Sequence, residues 1–210
     1  MASLGLAPRS SLAGLADIGR EVPPGGAVGV LVSERTNLTL ASVVARRNST
    51  GAVARRIHKV FGFEPPLQPR HVGADGVAFA WTGPAQWLAI GAGARADALV
   101  GRLRAELSGL ASISDQTDGR VLIRLRGPDV RNLLARGLPI DLHVSAFAPG
   151  HAGVTMLGQV GVYIWQVDAQ PTYDLAVPTS YAAYAWRWIV AAAAQFGLAV
   201  ESDSGMLMIE

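Results

Sequence analysis

Ile113-Ser-Asp-Gln-Thr-Asp-Gly-Arg-Val-Leu-Ile-Arg-Leu-Arg-Gly-Pro-Asp-Val-Arg-Asn-Leu-Leu-Ala-Arg-Gly-Leu-Pro139 contains two strands, the turn between them and a helix with both ends marked. Residues 113–116 and 121–126 read as strands around the turn Asp118-Gly119. Gly127-Pro128-Asp129 opens the helix, with proline at the first helical position, where its missing N–H costs nothing. Gly137-Leu138-Pro139 closes it. Strand, turn, strand, helix is the unit of an α+β fold rather than of a parallel βαβ fold.

Downstream, strands are predicted over 153–157, 160–167 and 173–177, before a long helix over 180–196 stopped by Gly197. Upstream the same order occurs. Residues 27–33 and 38–44 read as a hairpin turning at Thr36-Asn37, and Ser49 caps a helix that closes at Gly62. Pro65, Pro66 and Pro69 forbid the return of that helix. A second hairpin, 77–81 and 87–90, turns at Gly83-Pro84, with a short extra strand near His71 and a helix over 96–107 ended by Gly109. A β-β-α-β-β-α module used twice predicts two similar α+β lobes, 26–110 and 111–210, whose antiparallel sheets carry helices on one face. Residues 1–25, rich in Ala, Ser, Gly and Pro, read as an N-terminal arm with at most a short helix over 11–18.

Cysteine is absent, which removes disulfides, thiolate nucleophiles and iron–sulfur ligation. Charged residues make up 16% and hydrophobic residues 50% of the chain, so little charge is available to cover a monomer, the first sign of a buried interface. The longest apolar runs, such as 188–194, fall far short of the roughly 18–20 residues that span a bilayer. The N-terminus has no basic region followed by a continuous apolar one, and a cytoplasmic protein is expected. Arg46, Arg47, Arg55, Arg56 and Lys59 form a basic cluster, but Val53, Ile57, Val60 and Phe61 recur beside them at helical spacing. The cations are therefore read as the solvated face of an amphipathic helix, without the aromatic platform of a nucleic-acid site.

The helix over 180–196 carries only Ser180, Arg187 and Gln195 as clearly polar residues, so it is expected to lack a broad solvent face. Trp186 and Trp188 lie about 200° apart around it and cannot enter one core. Either two lobes of the chain enclose this helix or a partner covers part of it. The low charge of the chain favours the partner, and Trp186 and Trp188 are the candidate interface residues.

Catalytic patterns are weak. No Gly-x-Ser-x-Gly occurs, and His58, His71, His143 and His151 share no spacing that would build a triad or a metal site. Gly91-Ala-Gly-Ala-Arg-Ala96 imitates a dinucleotide fingerprint, with Asp115 downstream, but no βαβ units follow it, so a tight strand-to-helix turn is the better account. Asp115 and Asp118 are turn residues before they are an acid–base pair. No catalytic, cofactor-binding or metal-binding residue is assigned.

Ser114 to Leu134, continuing through Leu138-Pro-Ile-Asp-Leu142 to Phe147-Ala-Pro-Gly150, resembles the gamma subunit of heterotetrameric sarcosine oxidase, itself similar to the folate-binding domain of glycine-cleavage aminomethyltransferases. Trp81-Thr-Gly-Pro-Ala-Gln-Trp-Leu88 and the tryptophan-rich terminal helix resemble the gamma subunit more narrowly. The resemblance implies a folate-binding-domain-like fold and a structural, non-catalytic subunit. The aminomethyltransferases carry an acidic pair in the region matching 77–88, where this chain has no carboxylate. Their Gly-Tyr-Thr-Gly-Glu motif has no counterpart near 153–163. Related subunits often place a basic residue where this chain has Thr179. By the same resemblance the complex demethylates sarcosine oxidatively, with alpha, beta and delta subunits as partners, alpha the main contact. FAD, FMN and NAD lie on those partners, and tetrahydrofolate accepts the one-carbon unit at alpha. A related N-methyl amino acid dehydrogenase, or a free-standing folate-binding protein, are the alternatives.

Overall fold

The computed structural model of the chain describes residues 10–15, 20–21, 26–92 and 98–201. Its elements are β1 (Arg20–Glu21), β2 (Val30–Arg35), β3 (Leu38–Ala45), α1 (Thr50–Phe61), β4 (His71–Ala74), β5 (Val77–Gly83), β6 (Gln86–Ala92), α2 (Leu99–Glu106), β7 (Ala111–Asp115), β8 (Arg120–Arg126), α3 (Val130–Leu134), β9 (Ala152–Leu157), β10 (Val160–Gln166), β11 (Tyr173–Pro178), α4 (Ala182–Ala193) and β12 (Leu198–Val200).

Two sheets form. One has the order β1-β12-β2-β8-β11-β10-β9 and the other β4-β5-β6-β3-β7. All pairs are antiparallel except β12 with β2. Alternation along each strand splits its side chains between two cores. Val121, Ile123 and Leu125 of β8 pack with Leu133, Trp186 and Ile189, while Leu122 points the other way. In the second sheet Val77, Phe79, Trp87 and Ala89 pack with Val53, Ile57 and Leu103 of α1 and α2. The opposite faces meet through Leu40, Ala78, Ala80, Leu88, Ile90, Leu122, Ala152, Trp165 and Ala176. The molecule is thus an α+β body of two facing sheets with helices outside, as the repeated module predicts.

The hairpin expected at Thr36-Asn37 is not one. β2 pairs with β8 and β12, whereas β3 pairs with β6 and β7, so the chain changes sheets at these two residues. Asn37 takes the left-handed conformation, φ 53°. The turn at 116–119 makes the matching crossing: β7 joins β3 in one sheet and β8 joins β2 in the other. A corner and a hairpin use the same turn residues, and only the remote pairing partners distinguish them. The sequence units 26–110 and 111–210 therefore exchange their first strands.

The N-terminal arm is also drawn in. Residues 11–15 form turns rather than a helix, Leu12 is fully buried, and Ser10 donates to Glu34. Residues 16–18 of the expected short helix, and 93–97 around the expected start of α2, lie outside the described residues. Strand β12 was not expected, being three residues long and directly after a helix. The helix expected over 180–196 and stopped by Gly197 ends earlier, at Ala193, and a turn over 194–196 precedes Gly197 (φ 75°) and β12.

Candidate partner interface

The two tryptophans of α4 part company. Trp186 is 1% exposed, and its Nε1–H donates to the Leu15 carbonyl of the arm at 2.9 Å. The arm thereby completes the core beneath it. Trp188 is half-buried, with its ring over Gly137, where a Cβ would stand 2.2 Å from Cζ2. One turn earlier, Tyr184 lies over Gly158 at the tip of the β9–β10 hairpin, where a Cβ would stand 2.5 Å from the hydroxyl. Gly158 N–H donates to Gly137 O at 3.1 Å, tying the two glycines into one seat for the aromatic pair. Any side chain at either position would lift the ring above it.

Outward, α4 and its lead-in expose Tyr181 (52%), Tyr184 (43%), Arg187, Ala191, Ala194 and Gln195. The helix therefore has an open strip, aromatic at one end and small along the rest, with a single charge. The expectation that both sides are covered holds within the chain only for the inner side, which carries Ala182, Ala185, Trp186, Ile189 and Ala193. Sequence reasoning missed Tyr181 and Tyr184, whose i, i+3 spacing places them on one face. It also missed Val154 (48% exposed) and Met156 (40%) on β9.

Between the sheets the polar groups are engaged with one another. Arg124 grips Asp174 through Nε and Nη2, both at 2.7 Å, and Arg35 Nη1 approaches the same carboxylate at 3.9 Å. This joins β8, β11 and β2 across one buried charge. Such a cluster fixes register more than it adds stability, and removing one member strands the others. His71 stacks on Trp165, centroids 5.2 Å apart and planes 6° apart. Burial lowers its pKa to about 4; Asp174 acts weakly in the opposite direction and Arg124 in the same one. The space left beside these residues is about 10 Å³, of the order of one water.

A larger open cleft of about 640 Å³ lies where the chain crosses between sheets, lined by Ser10, Glu34, Asn37, Thr117, Arg120 and Thr179 among others. Arg120 stacks on the Tyr163 ring at 4.1 Å and donates to its hydroxyl at 3.1 Å. Asp115 accepts the Thr117 N–H at 2.9 Å, and hydrogen bonds from Thr117 hold its pKa below the usual carboxylate value. The Asp118 carbonyl accepts the Thr179 hydroxyl at 2.7 Å. Both aspartates thus serve the crossing turn. His143 contacts Ser145 and His151 meets the edge of Phe147. Among the described residues no three His, Asp or Glu side chains converge.

Two facing sheets with helices outside define a module of the aminomethyltransferase-like fold. The glycine cleavage system aminomethyltransferase T of Bartonella henselae superposes with a TM-score of 0.60 at 14% identity, over 83% of this chain and 48% of that one. Residues 46–195 match the model of the sarcosine oxidase, gamma subunit family, and the chain belongs to that family. The sarcosine oxidase subunit gamma of an Arthrobacter species is 31% identical over 134 residues, 61% of this chain and 64% of that protein, so the match spans just under two thirds of its length. A chain of the heterotetrameric sarcosine oxidase from Corynebacterium sp. U-96, solved in complex with pyrrole 2-carboxylate, is 25% identical with a TM-score of 0.77, covering 90% of this chain and 96% of that one.

Proposed function

We propose that this chain is the non-catalytic gamma subunit of a heterotetrameric sarcosine oxidase complex, which demethylates sarcosine oxidatively to glycine and passes the one-carbon unit to tetrahydrofolate. The observation that carries this reading is the open strip of α4, where Tyr181 and Tyr184 stand exposed on a helix rigidly seated by Gly137 and Gly158. Two exposed tyrosines adjoining a run of small side chains with one charge form a patch of the kind that interfaces use. The mere 10 Å³ or so left beside His71 and Trp165, and the Thr117 N–H that holds the Asp115 carboxylate in the crossing turn, support a structural rather than chemical role.

In this reading alpha, beta and delta subunits are the partners, alpha the main contact, and FAD, FMN, NAD and tetrahydrofolate reside on them. The complex is cytoplasmic; no described helix is long and apolar enough to cross a membrane. Trp188 borders the interface and Trp186 supports it from below. A second reading, a free-standing folate-binding protein, draws on the 640 Å³ cleft, which has the size of a small-molecule site.

Co-expression separates the two. The chain made alone is expected to be colourless, self-associating and without saturable tetrahydrofolate binding, while co-expression with the large alpha subunit gives a soluble, flavin-coloured complex. A well-behaved monomer that binds tetrahydrofolate near micromolar and ignores alpha would replace the first reading with the second.

A further inference from the structure

The outer edge of β9 is left open in a specific pattern. His151 accepts the Gln166 N–H, so its backbone faces β10. With the period of two of an antiparallel ladder, Gly153, Thr155 and Leu157 face β10 as well. Ala152, Val154 and Met156 therefore direct N–H and C=O away from the sheet. The first of these is engaged: Ala152 N–H donates to Pro69 O at 3.0 Å, and next to it His71 N–H donates to Gly150 O at 2.8 Å. The segment before Pro69 then turns off, its Pro66 carbonyl accepting Trp87 Nε1–H at 2.6 Å. Val154 and Met156 have no backbone partner among the described residues.

The same two residues are the ones with exposed apolar side chains. Residues 152–167 contain no charge and no proline. Edge strands are ordinarily blunted by charge, proline, a bulge or brevity. β1 has two residues, β4 has four, and β7 presents Ser112, Ser114 and Asp115. Among the described residues the two sheets have four edges, and of these only β9 is both longer than five residues and undefended.

We infer that the β9 edge at 154–157 is completed by an extended, uncharged segment of a partner subunit, which bonds to the N–H and C=O of Val154 and Met156 and sets apolar side chains beside theirs. The inference rests on the gamma-subunit reading and specifies how the partner is held. A second copy is a poorer fit: two outward residues per chain give few bonds and little area against the roughly 1,200 Å² or more of a stable interface. For a partner already resting on α4 the strand is one piece of a larger contact. The edge is continuous with that contact, because Gly158 at the end of β9 carries Tyr184.

Hydrogen exchange on the full chain, alone and in the co-expressed complex, reads the bond pattern directly. The Val154 and Met156 amides are expected to exchange freely in the isolated chain and roughly tenfold or more slowly in the complex. Val154→Lys charges the edge, and Met156→Pro removes an N–H that the sheet itself does not use. Both are expected to reduce co-purification with alpha by about tenfold or more while the unfolding midpoint of the isolated chain stays near wild type. If Met156→Pro unfolds the chain, Val154→Lys and the exchange data decide. Wild-type chain that fails to assemble sinks the gamma-subunit reading. Wild-type chain that assembles with fast 154 and 156 amides, and variants that assemble equally, overturn the edge inference alone. Variants that abolish self-association of the isolated chain but leave the complex intact overturn it in favour of a second copy.

Discussion

Helices α1 and α4 both have 12 residues and both lie on the outer face of a sheet, yet they present opposite surfaces. α1 buries Val53 and Ile57 and exposes Arg55, Arg56, His58 and Lys59. Arg56 reaches Glu106 of α2 at 3.4 Å, and Arg102 of α2 donates to Val60 O at the end of the helix while lying over Phe61 at 4.9 Å. α4 exposes tyrosine and alanine with Arg187 as the one charge. One helix presents charge outward, the other tyrosine and small side chains. Arg55, Arg56 and Lys59 thus lie on the exposed face that the helical spacing of Val53 and Ile57 predicts, and α4 is the candidate interface helix.

The comparison breaks first at the core. Trp186 is fully buried against the arm, so Trp186→Ala removes its ring, its bond to Leu15 O and the seat of Leu12 together. A loss of about 3–5 kcal/mol in chemical unfolding of the subunit is expected, as for other buried tryptophans. An unfolding curve within 1 kcal/mol of wild type, with assembly lost, would place Trp186 in the interface instead of beneath it.

Acid is the next lever, because it loosens the body without altering either helix face. His71 is neutral when folded, with a pKa near 4 against 6.5 for the free side chain. Between those values the unfolded chain binds a proton that the folded chain does not, so stability falls as pH drops from 6.5 towards 4 and is constant above 6.5 as far as this group is concerned. The shift corresponds to roughly 3 kcal/mol at pH 4, at about 1.4 kcal/mol per pKa unit. His71→Phe keeps the stack on Trp165 and removes the titration, so its unfolding midpoints should lose most of the wild-type slope across that window. An unchanged slope would assign the acid sensitivity elsewhere.

The elements themselves were legible. The helix expected over 49–62 is Thr50–Phe61, and the strand expected over 160–167 is Val160–Gln166, because glycine, proline and periodicity act locally. Sheet membership was not. Whether Thr36-Asn37 closes a hairpin or crosses to another sheet is decided by Trp87 to Ala92, which pair with β3 from far along the chain. The candidate interface was half legible: the single charge on α4 is a sequence fact, but alanine is neutral evidence. Only the seating of Tyr184 and Trp188 on Gly158 and Gly137 shows which side faces out. The undefended β9 was invisible for the same reason as the crossing, since an edge is a property of topology and not of the residues that form it.

The smallest effects separate the two helices most cleanly. Trp188→Ala removes a half-buried ring at the border of the α4 strip, and a bordering aromatic is expected to contribute about 1 kcal/mol, roughly fivefold in dissociation constant. The same substitution leaves Trp186 and the arm in place, so the subunit's own unfolding should change less than it does for Trp186→Ala. The matched change on α1 is the double substitution Arg55→Gln and Arg56→Gln, which removes two exposed cations and one surface ion pair. An exposed pair contributes about 0–1 kcal/mol, and neither side chain lies on the uncharged surface, so affinity for alpha should stay within about twofold at low and moderate salt alike. A titration of the complex in which the α1 pair matters more than Trp188, and matters less as salt rises, would mean that the partner is steered to the basic helix. The assignment of water to one helix and protein to the other would then have to be reversed.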